Sequence, residues 1–316
     1  ARFQRLSDGW YWNTAGWQSG QFTLKSDQGQ VNASVSASTW NISVNLPSGA
    51  YLPSGTSYYI TSSGFDDAIP GGNQEAWNSV RGSTFTFDNT PGTATISLPV
   101  NGRYYSALGA LSGGSSDNVA VSTVSLSIQQ AGGQWYVPGS GFSSGTQSWF
   151  KAQGTVSSWS YTFPGGTWSP NTQYIVYSSA TDMASNVATA VSSAAFYYDV
   201  YTPTSTVYAP PGGGYLNAAQ TIIYGTAKDT PGSGVNAVQI ALSSSVTGAA
   251  NTWWNGGAFI NASAYYVSTT TYEPGAISTW TWLHPALENT KQYQLRLRTA
   301  DSALPPNIST FNYTFT

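Results

Sequence analysis

The chain has 316 residues and a formal net charge of −3, with charged residues at 7% against 15% aromatics, including 13 Trp and 21 Tyr. Its 10 basic residues form no stripe, so nothing offers nucleic acid an electrostatic footprint. No run of 18 apolar residues could span a membrane, and the lack of cysteine excludes disulfides, thiol chemistry and Cys-type zinc sites. With so few charges the surface must be built from Ser, Thr, Asn, Gln, Gly and Tyr, which suits packing into an assembly or a coat of sugar without burying charge.

Taken in order, the N-terminal "ARFQRLSDG" has no apolar signal-peptide core, so any leader is expected to have been removed. The aromatic "GWYWNTAGW" (9–17) follows, then a Trp-led strand "TWNISVNLP" (39–47), a Tyr-led strand "TSYYITSSGFDD" (56–67) and a Phe-led strand "STFTFDNTP" (83–91). The same three-part signature returns as "SWSYTFPGG" (158–166), "TQYIVYSSATDM" (172–183) and "AAFYYDVYTP" (194–203), and again as "TWTWLHPAL" (279–287), "KQYQLRLRTADS" (291–302) and "STFNYTFT" (309–316). Further alternating runs lie at 121–129 and 236–244, and no segment sustains helical periodicity. Runs such as "PGG" and "TPGSG" punctuate the strands as turns.

The leading residues Trp40, Trp159 and Trp280 are 119 and 121 residues apart, and all three are expected in the core. A repeat of that length with about seven short strands predicts an all-β chain of tandem immunoglobulin-like antiparallel sandwiches over 1–88, 89–199 and 200–316. At the front, "FQRLSDGWYWN" aligns with "VQIALSSSVTGAANTWWN", placing Phe3-Gln4 with Val238-Gln239 and Arg5-Leu6-Ser7 with Ala241-Leu242-Ser243. On that alignment the first sandwich lacks its initial strands. An open edge and an uncovered core there invite another copy or a preceding repeat, so Phe3, Leu6, Trp10, Trp12 and Trp17 are the expected interface.

The second unit's "ATDMASN" matches, at Ala180, Asp182, Ala184 and Asn186, the A-x-D-x-A-G-N turn of the immunoglobulin-like repeats of large bacterial surface and secreted proteins; Ser185 replaces the Gly. "GFDDAIPGGN" and "TADSALPPN" keep the Asp and a later Asn across a longer gap. The third unit's "GTAKDTPGSGVNAVQIAL" (225–242) resembles the family's G-T-A-x-D…S-G-V, and "WWNGGAF" is similar to its Y-W-N-G element. The resemblance implies the fold; the module serves in adhesins, stalks, fibres and enzyme appendages alike.

The Asp residues of these turns have two readings. Each can fix its turn by hydrogen-bonding the backbone, or Asp66, Asp67, Asp182, Asp229 or Asp301 can contribute to a calcium site. Calcium wants six to eight oxygens and each turn offers one or two carboxylates, so Asp66, Asp182 and Asp301 are weak calcium candidates and the structural role is favoured. Asp88 and Asp199 follow the Phe-led strand and read as boundary residues. No other cofactor is expected.

Catalysis finds little foothold. The Glu residues are Glu75, Glu273 and Glu288, the single histidine His284 has no nucleophile elbow to serve, and no phosphate loop or metal cluster is apparent, so the chain is not expected to be an enzyme. Sequons at Asn32, Asn41, Asn261, Asn307 and Asn312 are possible glycan acceptors. The paired aromatics Trp10/Tyr11/Trp12, Trp135/Tyr136 and Trp253/Trp254 should place one ring of each pair outside the core, to anchor a protein interface or to stack on sugar. The expectation is an extracellular, cell-surface structural protein: a fibre or filament segment whose partners are like subunits or adjacent repeats. The alternatives are an adhesin or carbohydrate-binding array with glycan partners, and a non-catalytic appendage of a secreted hydrolase.

Overall fold

The computed structural model describes residues 1–316 except 21–32, 37, 38, 43, 44, 65, 67, 71, 78, 79, 156, 251, 270 and 273–276. Among the described residues there is no α-helix; strands carry the fold, with one 3-10 turn at Gly49–Tyr51. The chain forms two compact units, one of residues 1–94, 115–124 and 179–191 and the other of 95–114, 125–178 and 192–316.

The first sandwich sequence gives β1 (Arg2–Arg5), β2 (Tyr11–Trp12), β3 (Trp17–Gln18), β4 (Ala33–Ser36), β5 (Thr39–Ile42), β6 (Thr56–Thr61) and β7 (Ser83–Phe87). The second gives β8 (Thr93–Leu98), β9 (Arg103–Tyr105), β10 (Ala110–Ser116), β11 (Val121–Gln130), β12 (Trp135–Val137), β13 (Gly141–Ser144), β14 (Phe150–Lys151), β15 (Gln153–Gly154), β16 (Ser158–Thr162), β17 (Thr172–Asp182) and β18 (Ser192–Tyr198). The third gives β19 (Thr204–Ala209), β20 (Ile222–Lys228), β21 (Val235–Ser243), β22 (Trp253–Trp254), β23 (Phe259–Asn261), β24 (Val267–Ser268), β25 (Thr271–Tyr272), β26 (Ile277–Leu283), β27 (Tyr293–Asp301) and β28 (Ile308–Phe315). The alternating runs of the sequence therefore became strands close to where they were expected.

One sheet recurs three times in the same order: β3-β2-β1-β6-β7, then β13-β12-β11-β17-β18, then β23-β22-β21-β27-β28. Facing sheets run β15-β16-β10-β8 and β19-β20-β26-β25; in the first sandwich the other pairing among the described residues is the β4–β5 hairpin. Tandem immunoglobulin-like sandwiches are thus the fold. Two sequence expectations need correction or limit. Phe3 lies opposite Ile60 and Leu242 opposite Leu295, each two residues beyond the leading Tyr58 or Tyr293, so Phe3 corresponds to Leu242 and not Val238. An alternating strand gives a similar apolar pattern after a slip, so only the pairing fixes the register. Trp40 lies in β5, but its side chain is outside the described residues.

The cores repeat as well. The leading Tyr stacks on the Phe-led strand at 5.5 Å (Tyr58–Phe85), 5.4 Å (Tyr174–Phe196) and 5.7 Å (Tyr293–Phe315). Two of these Tyr hydroxyls accept a backbone N–H five residues upstream, Ser169 to Tyr174 and Glu288 to Tyr293, both at 2.8 Å. This is the tyrosine corner of immunoglobulin-like sandwiches. Tyr174→Phe is expected to cost about 1–3 kcal/mol in urea unfolding, because it leaves a partly buried Ser169 N–H without its acceptor. On the facing sheets Trp159 lies opposite Gly113 and Trp280 opposite Gly225, and both rings are buried. A Cβ on Gly113 or Gly225 would stand 1.9 Å from the backbone oxygen of Thr95 or Thr206 and 2.4 or 2.7 Å from the Trp159 or Trp280 ring, so only glycine fits between strand and ring.

Candidate functional site

Each Asp-to-Asn turn is closed by one clamp. Asn186 donates its backbone N–H (2.8 Å) and its Nδ2 (2.7 Å) to the Asp182 carboxylate. Asn307 does the same to Asp301 at 2.7 and 2.6 Å, and Asn73 to Asp66 at 2.6 and 2.9 Å. A second Nδ2 bond then reaches back to the residue after the preceding Phe-led strand: Asn186 to the Asp88 carbonyl at 3.1 Å, and Asn307 to the Asp199 carbonyl at 3.0 Å. One side chain therefore fixes its own turn and ties that turn to the end of the previous sandwich.

The same places gather carboxylates. Asp88 follows β7, Asp117 follows β10 and Asp182 ends β17; Asp199 follows β18, Asp229 follows β20 and Asp301 ends β27. Within each trio one ligating oxygen per residue lies within 4.8 Å of the others. Asp199, Asp229 and Asp301 are all buried, and none takes part in an ion pair among the described residues. Burial, with the neighbouring Asp199 carboxylate, pushes Asp229 up to about 6. Burial likewise raises Asp301, against the hydrogen bonds from Asn307 and Ala303. In the other trio Asp88 and Asp117 are half-buried; burial acts to raise Asp88, but hydrogen bonds from Ser54, Thr90 and Asn118 hold it below the usual range.

Three carboxylates from three distant stretches are a hard-oxygen donor set of the kind calcium takes. The residues fit: Asp199, Asp229 and Asp301 would hold such an ion in one trio, and Asp88, Asp117 and Asp182 in the other. Of the calcium candidates, Asp182 and Asp301 thus fall in trios. Asp66 forms its clamp but joins no trio among the described residues, and Asp67 is outside them. Asp117 went unnoticed in the sequence, and Asp88 and Asp199 read there only as boundaries. The signal that could have found them is their recurrence at equivalent places in successive repeats.

The expected interface residues divide. Phe3 and Trp12 are core residues at 7% and 3% exposure, covered by this chain's own Trp17, Ile42, Leu52 and Tyr58, whereas Leu6 and Trp10 are exposed. Trp12 donates to the Asn45 carbonyl at 2.7 Å and Trp17 to Tyr51 at 2.8 Å. Among the paired aromatics Tyr136 and Trp253 are buried, with Trp135 and Trp254 half-buried; Arg296 covers Trp253 at 4.8 Å. The "WYWN" turn is set by Asn13, whose Oδ1 accepts the Ala15 and Gly16 N–H at 3.0 and 2.8 Å, and Asn255 repeats this with Gly257 and Ala258 at 2.9 and 2.8 Å.

His284 directs its two ring nitrogens at the Pro285 and Gln220 carbonyls, 2.7 and 2.8 Å away; Glu75 pairs with Arg81 and Glu288 with Lys291, while Glu273 is outside the described residues. Of the sequons, Asn41 and Asn312 are exposed and Asn261 is half-buried. Asn307 has its Nδ2 engaged twice in the clamp, and Asn32 is outside the described residues. Among the described residues no helix is long and apolar enough to cross a membrane.

The fold and its repeated clamp define a chain of tandem immunoglobulin-like modules. No family model matches the sequence, and no curated protein does. Among solved structures it is similar to the fibronectin(III)-like modules of Clostridium thermocellum CbhA, at 11% identity and a TM-score of 0.35 over 71% of this chain and 93% of that one. It is similar too to a tetra-tandem repeat from the extending region of a large adhesion protein, at 16% identity and a TM-score of 0.28 over 83% of this chain and 56% of that one. A third is a 1.5-MDa bacterial ice-binding adhesin, at 13% identity and a TM-score of 0.29 over 82% of this chain and 71% of that one. Similarity at this level carries no binding property or activity across.

Proposed function

We propose that this chain is a segment of an extracellular structural fibre or stalk, in which immunoglobulin-like modules are joined end to end. The observation that carries the reading is the repeated clamp: Asn186 and Asn307 each lock a turn of one module onto the strand end that precedes it. Such a device serves a chain whose work is to hold successive modules in order. The sparse charge and the Ser-, Thr- and Asn-rich composition support an assembly packed through neutral polar surface. Calcium belongs to the same reading as a brace for the trios of carboxylates. Electron microscopy of the secreted protein tests the proposal: chains or filaments are expected, and monodisperse isolated particles overturn it.

Trp10 favours a second reading, as an adhesin. It is 40% exposed, with the Arg5 guanidinium 5.7 Å from its ring, and could stack on a sugar. Glycan-array binding that disappears in Trp10→Ala while assembly persists would support that role; buried Trp12 is not available for it.

A further inference from the structure

Two kinds of element at the module ends have matching chemistry. One is a turn containing Ala-(Ile/Leu)-Pro inside the Asp–Asn clamp, found at Ala68–Pro70 and at Ala303–Pro305. The other is a short edge beside the closing strand. In the second module this is β9, parallel to β18. In the third it is residues 213–216, where Gly213 donates to the Thr314 carbonyl (3.1 Å), Leu216 to Thr316 (2.9 Å) and Thr316 to Gly214 (2.9 Å). Register through Phe196 and Phe315, each paired with its leading Tyr, makes Tyr215 equivalent to Tyr104 and Asn217 to Ser106.

One turn and one edge already meet. Leu304 donates its N–H to the Tyr104 carbonyl, and Ser106 donates its N–H to the Leu304 carbonyl, both at 3.1 Å. Ser106 Oγ also donates to the Pro305 carbonyl at 2.5 Å. The other turn and the other edge have no such partner. The Ile69 backbone makes no hydrogen bond among the described residues, and its side chain is 95% exposed. The Tyr215 carbonyl and the Asn217 N–H are equally without one, and Tyr215 is 81% exposed. Beside this edge opens a cleft of about 1250 Å³ lined by Tyr215, Leu216, Leu283, Pro285 and Leu287. Leu287 stands six residues before Tyr293, as the larger Trp168 stands before Tyr174.

We infer that the Ala68–Pro70 turn of one copy docks on the Tyr215–Asn217 edge of a second copy, repeating between chains the contact that Leu304 makes within one. Ile69 N–H donates to the Tyr215 carbonyl, Asn217 N–H to the Ile69 carbonyl, and Asn217 Nδ2 replaces Ser106 Oγ at the Pro70 carbonyl. The two surfaces differ, so the contact is heterologous and propagates head to tail. Bonds to an exposed backbone edge supply the attraction, as in other strand additions. The inference rests on the fibre reading and adds its contact.

The absence of cysteine from the chain makes the test direct. Chains carrying Ile69→Cys are mixed with chains carrying Tyr215→Cys, which keeps the Tyr215 carbonyl and the Asn217 side chain, and treated with a short bismaleimide. A cross-linked heterodimer well in excess of either homodimer is expected, and it should be lost when the first partner carries Ala68→Cys with Ile69→Pro, which removes the Ile69 N–H. Circular dichroism checks that each variant is folded, and Leu304→Cys with Ser106→Cys in one chain must cross-link internally. If that control cross-links, no heterodimer forms and filaments are still seen, the docking is overturned while the fibre reading stands. If neither heterodimer nor filament forms, both fall.

Discussion

Trp280→Ala is expected to lower the stability of the third module by about 3–5 kcal/mol, the range for truncating a large buried aromatic. The ring has no exposed surface and lies over Gly225, which offers no side chain to refill the space. Around it are Ile223, Ala227, Leu295 and Leu297 in one core. Its Nε1 has no hydrogen-bond partner among the described residues, so the loss is chiefly of packing; Trp159, by contrast, donates to the Gly114 carbonyl at 3.1 Å. Urea unfolding followed by circular dichroism measures the change, and a loss below about 1 kcal/mol would mean that the site collapses to fill the cavity. The reciprocal change, Gly225→Ala, drives a Cβ into the Thr206 backbone oxygen as well as the Trp280 ring and is expected to cost more than about 3 kcal/mol.

Asp229→Asn is expected to act in opposite directions with and without divalent cations. In chelator the folded protein holds a proton on Asp229 up to about pH 6, whereas the unfolded chain releases it near 3.8. Folding therefore gains from that proton below about pH 4 and loses the gain as pH rises through 6, because the native state binds more protons over that window. The fall should be on the order of 3 kcal/mol. Asn carries no charge to bury, so the variant should flatten the slope and be more stable than the parent above pH 6. With calcium present the order should reverse, since the parent gains a ligand-linked stabilisation that the variant lacks. Thermal melts from pH 4 to 7, in chelator and in calcium, decide the matter. Identical profiles for parent and variant would remove Asp229 from any electrostatic role.

The legible part of this molecule was the part written locally. Alternation in "VSTVSLSIQ" and "QYIVYSSA" marks strands because side chains alternate between the faces of a sheet. The spacing of Trp159 and Trp280 marked repeats and core positions, since each ring fills the same place in its own sandwich. The first module's register was not legible, because a slipped alternating strand presents much the same pattern and only partners such as Ile60 fix it. The trios were not legible either. Asp88, Asp117 and Asp182 sit on three separate strand ends, and nothing in a linear reading puts them within reach of one another. The burial of Trp12 is non-local in the same way: its neighbours Leu52 and Tyr58 arrive from a later stretch of chain.

The pairing of β9 with β18 bears on how a module carries load. The strands are parallel, with Arg103, Tyr104 and Tyr105 opposite Phe196, Tyr197 and Tyr198. Pull on the start of β9 and the end of β18, and the two slide past each other along their length. Their cross-bonds are then strained together in shear, and no single bond can give way first as in a zipper. The edge at Gly213–Leu216 repeats the arrangement in the third module. Under tension these short strands act as mechanical clasps, and single-molecule stretching should find the second and third modules yielding in discrete, high-force steps.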